Sequence, residues 1–125
     1  MKLVIAYIRH DAFEPIRSAL LEQGLPSMSV AEVKGTGRQR GVTEQYRGSS
    51  VTNYLRPKLR LEVGVADGDA QTVVDTIVRH ARTGSIGDGK IFVLPVEDVI
   101  RIRTGETGDV TMDKHDVASS RPSAD

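Results

Sequence analysis

The chain has 125 residues, with 17 Lys+Arg against 17 Asp+Glu and no cysteine. The length fits one domain, and zero formal net charge excludes both a polycation that binds nucleic acid by bulk charge and an acidic solvating chain. The missing cysteines exclude a disulfide framework, a thiolate zinc site and a cysteine nucleophile. Aromatic residues make up 4% and tryptophan is absent, so the core must come from Val, Ile, Leu and Ala. The apolar N-terminal stretch, Leu3 to Ile8, is too short for a signal core and ends in Arg9 and Asp11. No window approaches the roughly 20 apolar residues of a membrane span. A soluble, cytoplasmic protein is the expectation.

In chain order, residues 2–9 are apolar and β-branched and read as a buried strand. Asp11 is placed to cap a helix whose apolar residues, Ala12, Phe13, Ile16, Ala19 and Leu20, recur at helical spacing until Gly24 stops it. Met28 to Val33 reads as a second strand. Residues 35–57 hold glycines at 35, 37, 41 and 48 and follow neither period, so this stretch predicts a long functional or mobile loop. Alternation then returns, with Leu59, Leu61, Val63 and Val65 on one face and Lys58, Arg60 and Glu62 on the other. Residues 67–83 predict a second amphipathic helix with Val73, Val74, Ile77, Val78 and Ala81 as its stripe. Ile91–Val93 predicts a strand, Asp98–Arg103 a last short one, and residues 107–125 a disordered tail. This order, βαβ, long loop, βαβ, predicts an α+β ferredoxin-like βαββαβ sandwich: a four-stranded antiparallel sheet with both helices on one face. The other face needs cover, which favours assembly.

Four features carry possible chemistry. Thr83-Gly84-Ser85-Ile86-Gly87-Asp88-Gly89-Lys90 combines close backbone approach with a positive charge, which suits phosphate oxygens, although it lacks the Walker spacing of an NTPase and also fits a plain turn. Arg101 and Arg103, on one face of a strand, could clamp phosphate or simply guard an edge. Gly37-Arg38-Gln39-Arg40-Gly41 is either an anion-approaching loop or a flexible basic tip. Lys34, Arg38, Arg40, Arg47, Arg56, Lys58 and Arg60 face only Glu44, with Tyr46 and Tyr54 interleaved, a possible nucleic-acid footprint without the strand aromatics of an RNA-recognition sheet. His10, His80 and His115 form no metal set, and no serine elbow, carboxylate pair or general base for ATP hydrolysis is marked. No enzyme is expected.

Together the segments MKLVIAYIR (1–9), GTGRQRGVTEQYRG (35–48), PKLRLEV (57–63) and ARTGSIGDGKIFVLPVEDVIRIRTGE (81–106) resemble the PII signal-transduction family, the nitrogen regulatory P-II proteins, without gaps to about Gly105. The resemblance implies a ferredoxin-like domain over 1–106, a T-loop at about 36–56, and a homotrimer with nucleotide sites between subunits where ATP and ADP compete. It places Ser29 at the adenine. It carries nucleotide contacts onto Gly35, Gly37, Arg38, Gln39, Gly87, Asp88, Gly89, Lys90, Arg101 and Arg103. It implies that 2-oxoglutarate chelates the Mg²⁺ of bound ATP, with Gln39 as a metal ligand. Gln39, Arg40, Gly41, Lys58 and Gly87 form the 2-oxoglutarate site, where Lys58 pairs with the carboxylate. Effector binding would then require Mg-ATP, a positive coupling that orders the T-loop for a membrane transporter or metabolic enzyme to read.

Some positions depart from the family pattern. The loop tyrosine that relatives modify is replaced by Val51, so uridylylation or adenylylation there is excluded. Ser49 stands where some cyanobacterial members are phosphorylated. Ser29 replaces a usual Thr and keeps the hydroxyl. Tyr54, Arg56 and His10 replace other residue types, giving an atypical loop on an intact ligand base. The altered loop leaves room for an adenylate sensor that answers to bicarbonate or another anion and controls inorganic-carbon or other transport. A nucleic-acid-binding module is the remaining alternative.

Overall fold

The computed structural model describes residues 1–36, 42–46, 49–53 and 55–112, the two short inner segments by backbone alone. Strand β1 (Lys2–Ile8) and strand β5 (Arg56–Val65) form the centre of a four-stranded sheet, with β2 (Ser29–Gly35) and β6 (Lys90–Pro95) at its edges. The order β2-β5-β1-β6 is antiparallel throughout. Helices α1 (Phe13–Glu22) and α2 (Ala70–Ala81) supply the second layer. This is the ferredoxin-like α+β arrangement that the element order predicts.

Alternation explains the core. Leu59, Leu61, Val63 and Val65 of β5 are all buried, as are Val4, Ala6 and Ile8 of β1. They meet Ile16 and Leu20 of α1 and Val73, Ile77 and Ala81 of α2, the helical stripes expected from spacing. Full burial of one such aliphatic side chain stabilises the fold by about 1.5–3 kcal/mol. The helices are tied by a polar bridge. Buried Thr76 donates to the Thr72 carbonyl (2.7 Å) and accepts from the Gln23 amide (2.8 Å). Helix α1 ends at Gly24, where φ is +78° and the N–H groups of Gly24 and Leu25 return to the Leu21 and Leu20 carbonyls.

Asp11 does not cap α1. It lies inside a 3-10 turn, His10–Ala12, that leads into the helix, and no side chain caps either element. The stretch expected to follow no period contains β3 (Val42–Tyr46) and β4 (Ser49–Asn53), paired as an antiparallel hairpin apart from the main sheet. Its Val, Thr and Tyr residues favour extended backbone, a preference that apolar periodicity does not register.

The predicted strand 98–103 is absent. Ile100 makes one bridge to Thr107, and the chain between them turns back through hydrogen bonds from Gly105 N–H to the Arg101 carbonyl and from Arg101 N–H to the Glu106 carbonyl. The first residues of the expected disordered tail are ordered. Gly108–Thr111 forms a 3-10 turn, Thr111 is buried, and the Met112 sulfur lies against Gly64. Residues 113–125 are outside the described residues.

The sheet face away from the helices carries Leu3, Ile5 and Tyr7 beside Phe92 and Leu94. The Tyr7 and Phe92 rings meet edge to face at 6.2 Å. Phe92 is 50% exposed, so the face that needs cover is apolar and open in a single chain.

Candidate functional site

The end of β2, the middle of β5 and the glycine loop between α2 and β6 enclose a cleft of about 790 Å³. Among the described residues, Lys34, Lys58, Arg60 and Lys90 line it, with one carboxylate, Asp88. Arg60 pairs with Glu62 at 3.1 Å and lies over the Tyr7 ring, 6.0 Å from its centre. The cleft is therefore a field of positive charge around exposed backbone, which is the chemistry of an anion site.

Asp88 does not present a free charge to the cleft. Its carboxylate accepts from the Thr83 hydroxyl, the Thr83 N–H (2.8 Å) and the Gly84 N–H (2.8 Å), with Arg9 Nε at 3.4 Å. Those donors, Thr83 first, hold its pKa down to about 2. Asp88 thus folds the 83–88 loop. Gly89 has φ +101°, and a Cβ there would lie 1.7 Å from the Tyr7 carbonyl oxygen. Its lack of a side chain is required by contact with β1, which spacing could not distinguish from ligand approach.

Lys58 donates to the Gly87 carbonyl at 2.7 Å. Its pKa is lowered, first by burial and then by the charges of Arg9 and Arg56, with Asp88 opposing. An anion brought beside it relieves that repulsion. Arg9, to which the sequence assigned no site role, donates to the Ile86 carbonyl at 2.9 Å.

The other expected site residues divide into three groups. Gly35 reaches the cleft, as do Gly87, Asp88, Gly89, Lys90 and Lys58. Ser29 starts β2 opposite Glu62, six positions from Gly35, or about 20 Å along the strand. Arg101 is tied to Glu106 at 2.9 Å, and Arg103 sits in the exposed turn beyond it. Neither stands on a strand and neither lines the cleft of its own chain. Gly37, Arg38, Gln39, Arg40 and Gly41 lie outside the described residues, and Ser49 is placed only as the first residue of β4. Of the basic stretch, Lys34, Lys58 and Arg60 gather at this one cleft.

Among the described residues, no group of three His, Cys, Asp or Glu could hold a metal ion. His10 is half exposed near Glu32 (3.9 Å), His80 is exposed on α2, and His115 is outside the described residues. No helix among the described residues is long and apolar enough to cross a membrane.

The sheet, its helices and the cation-lined glycine loop define a ferredoxin-like α+β domain with an anion-receptive cleft. The chain belongs to the family described as nitrogen regulatory protein P-II, whose model matches residues 1–106. It is similar to nitrogen regulatory protein P-II 2 of Methanothermobacter thermautotrophicus, 51% identical over 86% of this chain and 94% of that protein. It is 53% identical to the P-II protein of Nostoc punctiforme over 85% of this chain and 95% of that one. It is 50% identical to P-II 1 of Escherichia coli K12 over 90% of this chain and the whole of its relative. P-II proteins are regulatory, non-enzymatic signal-transduction proteins.

Proposed function

We propose that this chain senses ATP and ADP, and through Mg-ATP also 2-oxoglutarate, and that it controls a transporter or metabolic enzyme through the 36–56 loop in the cytoplasm. The observation that carries this reading is the cleft: four cations surround a glycine loop whose one carboxylate is already satisfied. Phosphate oxygens meet Lys90 and the 87–89 backbone, and Lys58 is left to pair with an effector carboxylate. The Mg²⁺ arrives with ATP. Gln39 would hold that ion, which would draw the 2-oxo acid to the phosphate chain, as the family resemblance implies.

The site needs more than one copy. Ser29, Arg101 and Arg103 stand away from the 87–90 loop of their own chain. A homotrimer lets neighbouring chains bring these residues to one nucleotide. The open apolar face, with Phe92 and Leu94 exposed, supports such an assembly.

Calorimetry tests the reading: ATP with Mg²⁺ first, then 2-oxoglutarate into the loaded protein, with ADP and bicarbonate in parallel. Binding of 2-oxoglutarate only after Mg-ATP is expected. Adenylate binding with a bicarbonate response and none to 2-oxoglutarate would move the function to inorganic-carbon control. The atypical loop residues, Val51, Tyr54 and Arg56, keep that second reading in view. Failure of wild type to bind any adenylate overturns both. An oligonucleotide shift at low salt, with no complex expected, tests the nucleic-acid alternative.

A further inference from the structure

The loop that faces the cleft is not held by its own backbone ladder. Residues 82–89 belong to no strand or helix. Side chains fix it instead, Thr83 within the loop and three others. Asp88 closes its start, Lys58 reaches across from β5 to the Gly87 carbonyl, and Arg9 reaches from the end of β1 to the Ile86 carbonyl. Arg9 also lies against Asp88, so one guanidinium touches the loop at two points. It is 77 residues from Ile86 in the chain.

A peptide unit is planar and trans, so fixing a carbonyl also fixes the N–H of the next residue on the opposite edge. Holding the Ile86 and Gly87 carbonyls therefore fixes the N–H groups of Gly87 and Asp88, facing away from the two cations. No acceptor among the described residues takes either N–H. Two adjacent backbone donors with no acceptor among the described residues are available to an anionic oxygen, as the donors of an anion-binding nest are.

We propose that Arg9 is a positioning residue for this nest: by holding the Ile86 carbonyl and the Asp88 carboxylate it preorganises the Gly87 and Asp88 N–H groups for an anionic oxygen. Its role is distinct from that of Lys58, which itself lines the cleft. Where the anion is the phosphate chain of a nucleotide, the inference rests on the reading given under Proposed function. The alignment of the loop does not depend on that reading.

Two arms separate the inference from that reading. In the first, ligand-free wild type, Arg9→Met and Arg9→Lys are compared by amide hydrogen exchange. Arg9→Met keeps most of the apolar stem and removes both contacts. Faster exchange confined to residues 84–89, partly restored by Arg9→Lys, is expected. Unchanged exchange there overturns the proposal, and so does acceleration spread evenly over the sheet, which would mark a merely structural role. In the second arm, ATP and adenosine are titrated into each protein. Arg9→Met should weaken ATP by about ten-fold or more, the effect of a lost charge-assisted contact, and leave adenosine unchanged. Equal loss for both ligands, or no loss of ATP, overturns the proposal. If wild type binds neither ligand, the sensing reading fails by itself and the exchange arm decides the role of Arg9.

Discussion

Gly89→Ala isolates how closely the glycine loop is pressed onto the sheet. Gly89 and Gly84 share a left-handed backbone, with φ +101° and +86°, but only Gly89 faces another chain segment. A Cβ at 84 meets nothing within 4 Å, whereas one at 89 lies 1.7 Å from the Tyr7 carbonyl oxygen and 2.8 Å from its carbon. Both variants incur the strain of an L-residue at positive φ, about 1–2 kcal/mol. At 89 the new carbon must retreat from 1.7 Å to at least 3.0 Å, and its obstacle is β1 backbone rather than a movable side chain. Relief therefore pulls the start of β6 from β1, where Lys90 pairs with Tyr7. One or two ladder hydrogen bonds at about 1 kcal/mol each are lost. Gly89→Ala is expected to destabilise by about 2–4 kcal/mol, always more than Gly84→Ala at about 1–2. Urea melts followed by far-UV circular dichroism, at one protein concentration, give both values. Equal losses in the two variants would refute the close-approach argument and leave only the φ term.

Three further expectations concern the core, acid stability and the effector. Ile77→Ala empties a fully buried position between α2 and the sheet and should cost about 2–5 kcal/mol in the same melts. Asp88 has a folded pKa of about 2, below its ordinary 3.8, so its contribution to stability is complete above about pH 4 and fades as pH falls toward 2. Asp88→Asn should flatten that part of the stability–pH curve, and an unchanged curve would deny the carboxylate its place at the loop. Lys58→Ala and Gln39→Ala should spare ATP and lose 2-oxoglutarate, whereas Lys90→Ala and Arg103→Ala should lose ATP. Calorimetry reads both, and intact 2-oxoglutarate binding in Lys58→Ala and Gln39→Ala would sink the effector assignment.

The loop between α2 and β6 illustrates the limit of spacing as a guide. Glycines at 84, 87 and 89 with Lys90 mark an anion-receptive loop, and the structure gathers Lys34, Lys58 and Arg60 around it. The resemblance, not the spacing, implied a nucleotide contact at Asp88, and neither showed that its carboxylate accepts three hydrogen bonds within the loop. Spacing marked nothing at Arg9, because the partner of that guanidinium is 77 residues away and a lone arginine after a strand looks solvated. Arg101 and Arg103 were legible as a pair but not as a turn. Their alternation with Ile100 and Ile102 imitates a strand, and the fold closes it through Glu106 instead.

The sequence by itself determined what depends on near neighbours. Period-two alternation on β5, helical stripes on α1 and α2, and a helix stop at Gly24 are local sums of burial and backbone preference, so the core and the element order follow from them. Only the tertiary structure decided which distant groups meet. Sheet pairing brings Tyr7 against Gly89, puts Lys58 beneath Gly87 and sets Arg9 on Ile86. Those contacts are fixed by antiparallel register between strand residues about 50 to 90 positions apart, a relation that no local pattern encodes.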